Sequence, residues 1–200
     1  MSKWMRFLRR VIILCLISVS GTGVVWSGMV RDIAVLRPQT SNQLSISLSL
    51  VNVRRRNTLR PGRPVSLQVT FHNAGLQRMH VLYSRVYRAG NLVIVDAAGN
   101  RISPHIYNIS KYHLLEDDWH LIMPAQSMQL SLEGSLEINN ERLENERKFI
   151  FDEIEFVLPG PGEYTLYFVL RQDEPSHFSF MPRDEWTGCA ISNAVKIRLR

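Results

Sequence analysis

Apolar and polar residues alternate in run after run of this chain, and no stretch of the body shows a convincing 3.6-residue helical period. Leu44–Val53 is LSISLSLVNV, with Leu44, Ile46, Leu48 and Leu50 on one side and small polar residues on the other. Side chains of a strand point alternately to its two faces, so such a run buries one face and wets the other. Val65–Phe71 repeats the pattern with Val65, Leu67, Val69 and Phe71 inward. Ser127–Ile138 and Ala194–Arg200 alternate again, and Met79–Arg88, Asn91–Asp96, Phe149–Leu158 and the strong central run Tyr164–Arg171 read as further strands. Turn residues separate these runs: Arg60-Pro61-Gly62-Arg63-Pro64, His72-Asn73-Ala74-Gly75, Asp96-Ala97-Ala98-Gly99-Asn100 and Pro159-Gly160-Pro161-Gly162. Gly75, Gly99 and Gly162 suit backbone at positive φ. Asn139–Lys148 is charged and poor in apolar residues, which predicts a solvated loop or short helix. About seven to nine short strands result, the pattern of an all-β antiparallel sandwich with Greek-key or immunoglobulin-like topology. The absence of an internal repeat argues against a propeller or solenoid.

The N-terminus is of another kind. Lys3, Arg6, Arg9 and Arg10 form a basic stretch, Val11–Ser18 is apolar, and Ser18-Val19-Ser20 offers small residues at signal-peptidase spacing. Residues 1–30 are therefore expected to be a signal peptide or a signal anchor. No charge falls between Val11 and Val30, a length that just spans a bilayer core, so an uncleaved segment would tether the chain to a membrane through residues 11–30. Either way the body is translocated and the arginines stay behind. Residues 31–43 read as a linker, and 44–200 as the sandwich domain. The location expected is a bacterial cell envelope: periplasmic, secreted, or anchored in the inner membrane.

The net charge of +6 is concentrated in that leader. Four of the 24 basic residues lie there, so the body, with nearly all its basic residues balanced against 18 acidic ones, gives no reason to expect a nucleic-acid partner. Of two cysteines, Cys15 lies in the apolar run and Cys189 is alone in the body. The neighbours of Cys189 point to a half-buried packing thiol rather than a nucleophile.

Two groups of segments carry a resemblance. PGRPVSLQVTFHNAG, NLVIVDAAGNRI and IMPAQSMQLSLEG resemble bacterial sandwich domains of the intracellular proteinase inhibitor type and related immunoglobulin-like modules. LPGPGEYTLYF and WTGCAISNAVKIRL resemble the last two strands of exported bacterial immunoglobulin-like domains. The resemblance implies a tyrosine corner at Tyr164 after Gly162, and a structural Trp186-x-Gly188 before the final strand. It also implies an anti-protease role as one alternative, although no reactive-loop signature accompanies it.

Catalytic chemistry is poorly represented. There is no G-x-S-x-G elbow and no glycine-rich phosphate loop, and no cofactor is expected. The densest polar cluster is YHLLEDDWH, where His113, Glu116, Asp118 and His120 are candidate ligands for a divalent metal. Their spacing matches no established zinc motif, and a solvated loop with Trp119 tucked down explains them more simply. Met79-His80 and the methionines near His120 raise copper, with core filling the plainer explanation. Arg54, Arg55 and Arg56 are candidates for contact with an anionic surface, or else a solvated turn that keeps strand edges apart. The functional expectation is a non-enzymatic, exported or membrane-tethered binding module with an unknown protein partner. The alternatives are a protease inhibitor and a metal-dependent protein using the His113–His120 loop.

Overall fold

The structure is a computed structural model and describes residues 43–51, 57–83, 91–106, 118–139, 146–151, 154–172 and 182–200. The chain divides into two units, Met1–Leu36 and Arg37–Arg200, and every described residue belongs to the second. The leader, most of the 31–43 linker, Arg54–Arg56, His113 and Glu116 lie outside the described residues. Among the described residues no helix is long and apolar enough to cross a membrane.

The described residues form fourteen strands: β1 (Leu44–Val51), β2 (Thr58–Leu59), β3 (Pro64–Asn73), β4 (Met79–Leu82), β5 (Leu92–Asp96), β6 (Arg101–Ile102), β7 (Pro104–Ile106), β8 (Trp119–Ile122), β9 (Ser127–Asn139), β10 (Glu146–Phe151), β11 (Ile154–Leu158), β12 (Gly162–Gln172), β13 (Gly188–Ile191) and β14 (Val195–Leu199). One sheet has the order β1-β3-β9-β10-β11-β7, and the second β2-β14-β12-β5-β6 with β13 also on β12. A two-stranded ribbon, β4-β8, stands apart from both. All pairings are antiparallel except β2 with β14.

Alternation in sequence becomes rungs across the first sheet. Ile46, Phe71 and Met128 form one rung, Leu48, Val69 and Leu130 the next, and Leu50, Leu67 and Leu132 a third. The rungs between them are Ser47-Thr70-Gln129 and Ser49-Gln68-Ser131, which face water. A one-residue slip of β3 would exchange the two faces, so burial itself fixes the register. From the second sheet Leu92, Ile94, Leu166, Phe168, Val195 and Ile197 enter the same hydrophobic cluster. Phe71 meets Phe168 edge-on at 5.8 Å and Tyr83 at 5.6 Å, joining the two sheets through aromatic contact.

Two side chains complete backbone pairing at the seam. The Asn193 amide donates to the Leu48 carbonyl and accepts from its N–H, both at 2.9 Å. Ser192, fully buried, accepts from Phe168 N–H and donates to the Asn193 carbonyl. At the opposite turn, Tyr164 donates its hydroxyl to the Gly160 carbonyl at 2.8 Å. Burial pushes its phenol pKa up, the Gly160 bond opposes this, and the Asp96 carboxylate adds to the rise.

Several strand expectations change. The chain has more strands than the seven to nine expected, because β2, β6, β7, β8 and β13 are too short for alternation to register in sequence. Phe149–Leu158 reads as one strand but is two. Phe149 pairs with Phe156 and Phe151 with Ile154, so the run makes two antiparallel strands. The 139–148 segment, expected as loop or helix, contributes Glu146, Arg147 and Lys148 to β10, where Lys148 pairs with Glu137 and reaches Glu155 at 2.9 Å. Gly99 sits at φ 88° in the β5–β6 turn, where Asp96 Oδ1 accepts from the Ala98 and Asn100 amides. Gly75 is not at positive φ; its missing side chain makes room for Gln43. One wet side per sheet was expected, yet Leu92, Val93, Ile94 and Val95 are all buried, so β5 is covered on both faces.

A polar cleft beside the β4–β8 ribbon

The candidate site begins at Asn73, the last residue of β3. Its side chain is fully buried, donates to the carbonyls of Gln77 (2.8 Å) and Ile122 (3.0 Å), and accepts from Gly75 N–H (2.9 Å). Its backbone bonds to Gln126 and Ala125 as well. An asparagine amide has two donors and an accepting oxygen, so one residue ties the β3–β4 turn to the end of β8. That fixes where the chain enters β4.

In β4, Met79 and Val81 are buried and His80 emerges on the other face. Directly opposite His80 in β8 is Leu121. On the far side of β4 runs the segment Asp184–Trp186: His80 N–H donates to the Asp184 carbonyl at 2.9 Å, and Trp186 N–H to the His80 carbonyl at 2.7 Å. This is a parallel bridge, which gives β4 a backbone partner on both sides. Glu185 Oε1 accepts from Trp119 Nε1 at 2.9 Å and from Gln172 Nε2 at 2.5 Å, anchoring the segment to β8 and β12.

Over this frame lies an open cleft of about 600 Å³, lined by Gln77, Arg78, His80, Pro182, Arg183 and Asp184. Asp184 organises it. Oδ1 accepts from His80 Nδ1 at 2.7 Å and Oδ2 from Arg78 Nε at 2.8 Å. A carboxylate only accepts, so the His80 proton is on Nδ1, and Nε2 of a neutral ring is left as an acceptor. Burial pushes the Asp184 carboxyl up, but the bonds from His80, its own backbone amide and Arg78 outweigh it and hold the group below its ordinary value. Among the described groups no protein partner takes the terminal nitrogens of Arg78, the Arg183 guanidinium or the Gln77 side-chain amide. The cleft thus presents cationic donors on a fixed floor.

A depressed carboxylate stabilises the fold above its unfolded pKa of about 3.9 and loses that contribution as pH falls through the lower folded value. Asp184→Asn is therefore expected to be less stable than the parent at neutral pH. The difference in urea midpoint should shrink below about pH 4. A gap that stays constant across that range would show that Asp184 acts without its charge.

The residues singled out from sequence are dispersed. Tyr164 and Gly162 lie at the start of β12, and Trp186 is buried, its amide bonded to His80. Gly188 opens β13 beside Gln172, and Cys189 is half-buried there. Asp118 is buried, and its carbonyl accepts from Tyr83 N–H. His120 pairs with Val81, its ring tilted against Tyr83 at 6.4 Å, so it lies on the face opposite His80. Trp119, placed in a loop from sequence, belongs to β8 and is buried. Met79 is buried and Met128 packs on the core, so neither methionine converges with His80. Among the described residues no three His, Cys, Asp or Glu side chains group as a metal site. Sequence reading missed the cleft because Asp184 stands 104 residues from His80, and no local motif announces the pair.

No protein-family model matches the chain, and no curated protein matches it. Among solved structures it is similar to a protein described as a lipoprotein, ycdA, from Bacillus subtilis subsp. subtilis str. 168. The identity is 11% and the TM-score 0.27, and the match covers 80% of this chain and 37% of that one. The chain thus spans little more than a third of that protein's length.

Proposed function

We propose that the chain is a non-enzymatic binding module of the bacterial cell envelope. In this reading residues 1–30 export or anchor it, and the body is a Greek-key, immunoglobulin-like sandwich that meets a protein partner at its β4–β8 end. The observation that carries the reading is the cleft, where Arg78 and Arg183 offer donors that no other described residue takes up, on a floor pinned by Asp184, Glu185 and Asn73. Among the described residues the polar lining is made of guanidinium, imidazole, carboxylate and amide side chains, groups suited to holding a polar ligand. The basic, acid-free leader supports translocation.

Two measurements test this. A phosphatase that folds only outside the cytoplasm, fused after Arg200, is expected to be active and to lose activity when residues 1–30 are deleted. A stable but inactive fusion would overturn the export reading. A photocrosslinking side chain at Leu121 or Arg183 of the full chain is expected to give a discrete adduct in intact cells, whereas one at Gln68, on the serine-lined sheet face, gives none. Equal labelling from all three positions would remove the cleft from the proposal.

A further inference from the structure

We propose that the cleft receives a carboxylate carried beside an apolar side chain, as on an acidic–apolar peptide segment of a partner protein. This rests on the binding-module reading and names the chemistry that the site selects.

Charge comes first. Among the described lining residues Arg78 and Arg183 face one carboxylate, Asp184, which leaves one net positive charge when His80 is neutral. A single negative charge matches that surplus. A phosphate dianion would bring a second charge against Asp184, which already shares Arg78, and like charges at such range repel.

Geometry agrees. Arg78 spends Nε on Asp184 and keeps both terminal nitrogens, a planar pair suited to the two oxygens of a carboxylate. Asp184 holds Arg78 and His80 in place before any ligand arrives, so less side-chain freedom is lost on binding.

Apolar residues that adjoin the lining by strand pairing or in sequence supply the other half. Leu121, opposite His80 in the ribbon, is 48% exposed, and Met123, just past the end of β8, is 42% exposed. These two, with Leu76 in the turn before Gln77, are the large exposed hydrophobic residues among those described. Leu121 lies in β8, and Leu76 and Met123 on the segments that enter β4 and leave β8, while the alternating serine rungs of the first sheet expose none.

The test uses the purified full chain in detergent micelles and three probes: the capped peptide Leu-Glu-Leu, its counterpart Leu-Gln-Leu, and inorganic phosphate. Amide and side-chain NMR shifts report the site. The glutamate peptide is expected to shift His80, Arg78 and Leu121, and to bind about tenfold tighter than the glutamine peptide. Arg78→Ala and Arg183→Ala are each expected to weaken it by a similar factor. Arg78 is largely exposed, and thermal unfolding checks that both variants stay folded. Equal binding of the two peptides, tighter binding of phosphate, or shifts confined to other surfaces would each overturn the inference. If the glutamate peptide fails while crosslinks from Leu121 persist in cells, the carboxylate assignment falls and the module reading stands. If both fail, the site itself is wrong.

Discussion

Replacing Gly134 with valine abolishes the native fold, or lowers its stability by more than about 3 kcal/mol. Gly134 sits in the interior of β9, paired with Val65 on one side and Phe151 on the other. A Cβ there would run into the Ile150 carbonyl and lie 2.5 Å from Phe151 Cδ1. Neither neighbour yields cheaply. The carbonyl belongs to the β9–β10 ladder, and the Phe151 ring is fully buried, 4.5 Å from that of Phe149. Glycine ordinarily weakens a strand interior, and here it is kept because a ring occupies the place of its side chain. Urea unfolding followed by tryptophan fluorescence reads the effect. A valine variant with a midpoint near the parent's would mean that the Phe149–Phe151 pair can move aside. Gly134→Ala, with one methyl in the same place, is expected to lie between the two.

Asn73→Ala is expected to cost about 2–4 kcal/mol, from three lost side-chain bonds and the buried groups they leave unpaired. The Gln77 and Ile122 carbonyls and the Gly75 N–H all lose their partner at once. The loss bears on the cleft as well as the fold, because the same amide sets the turn that delivers Arg78. The variant should therefore show, below its unfolding transition, broadened NMR signals for Gln77 and Arg78 while those of β12 and β14 stay sharp. Uniform loss of stability with an unchanged cleft would confine Asn73 to a global role. Asn73→Asp separates donor from acceptor. It keeps the bond from Gly75 but sets a carboxylate against two carbonyls, and should be at least as damaging as alanine.

How far the sequence discloses this architecture depends on strand length. The long runs announce themselves: Leu44–Val51, Val65–Phe71 and Ser127–Ile138 alternate strictly because one face of a broad sheet is wet. β5 and the middle of β12 do not alternate, since both their faces are covered, and their apolar runs mark them as strands all the same. The division between β10 and β11 is hidden because no glycine, proline or asparagine stands between Phe151 and Ile154 to break the apolar run. The site was least legible. Arg78, His80 and Asp184 meet only because the Asp184–Trp186 segment lies alongside β4, a backbone pairing between residues that sequence order keeps far apart. Metal and anionic-surface candidates came instead from local density of charge, which identifies loops more readily than sites.

The Asn193–Leu48 clasp has a consequence in time. Its partners are separated by 145 residues, so the outer edge of β1 stays open until nearly the whole body is present. Among the described strands β2 likewise pairs only with β14. Closing loops of that length is slow relative to local hairpins, which places these contacts late on the folding path. Under the export proposed above, a chain threaded N-terminus first would emerge with β1 and β2 still unlocked, and the arrival of Asn193 and β14 would close both.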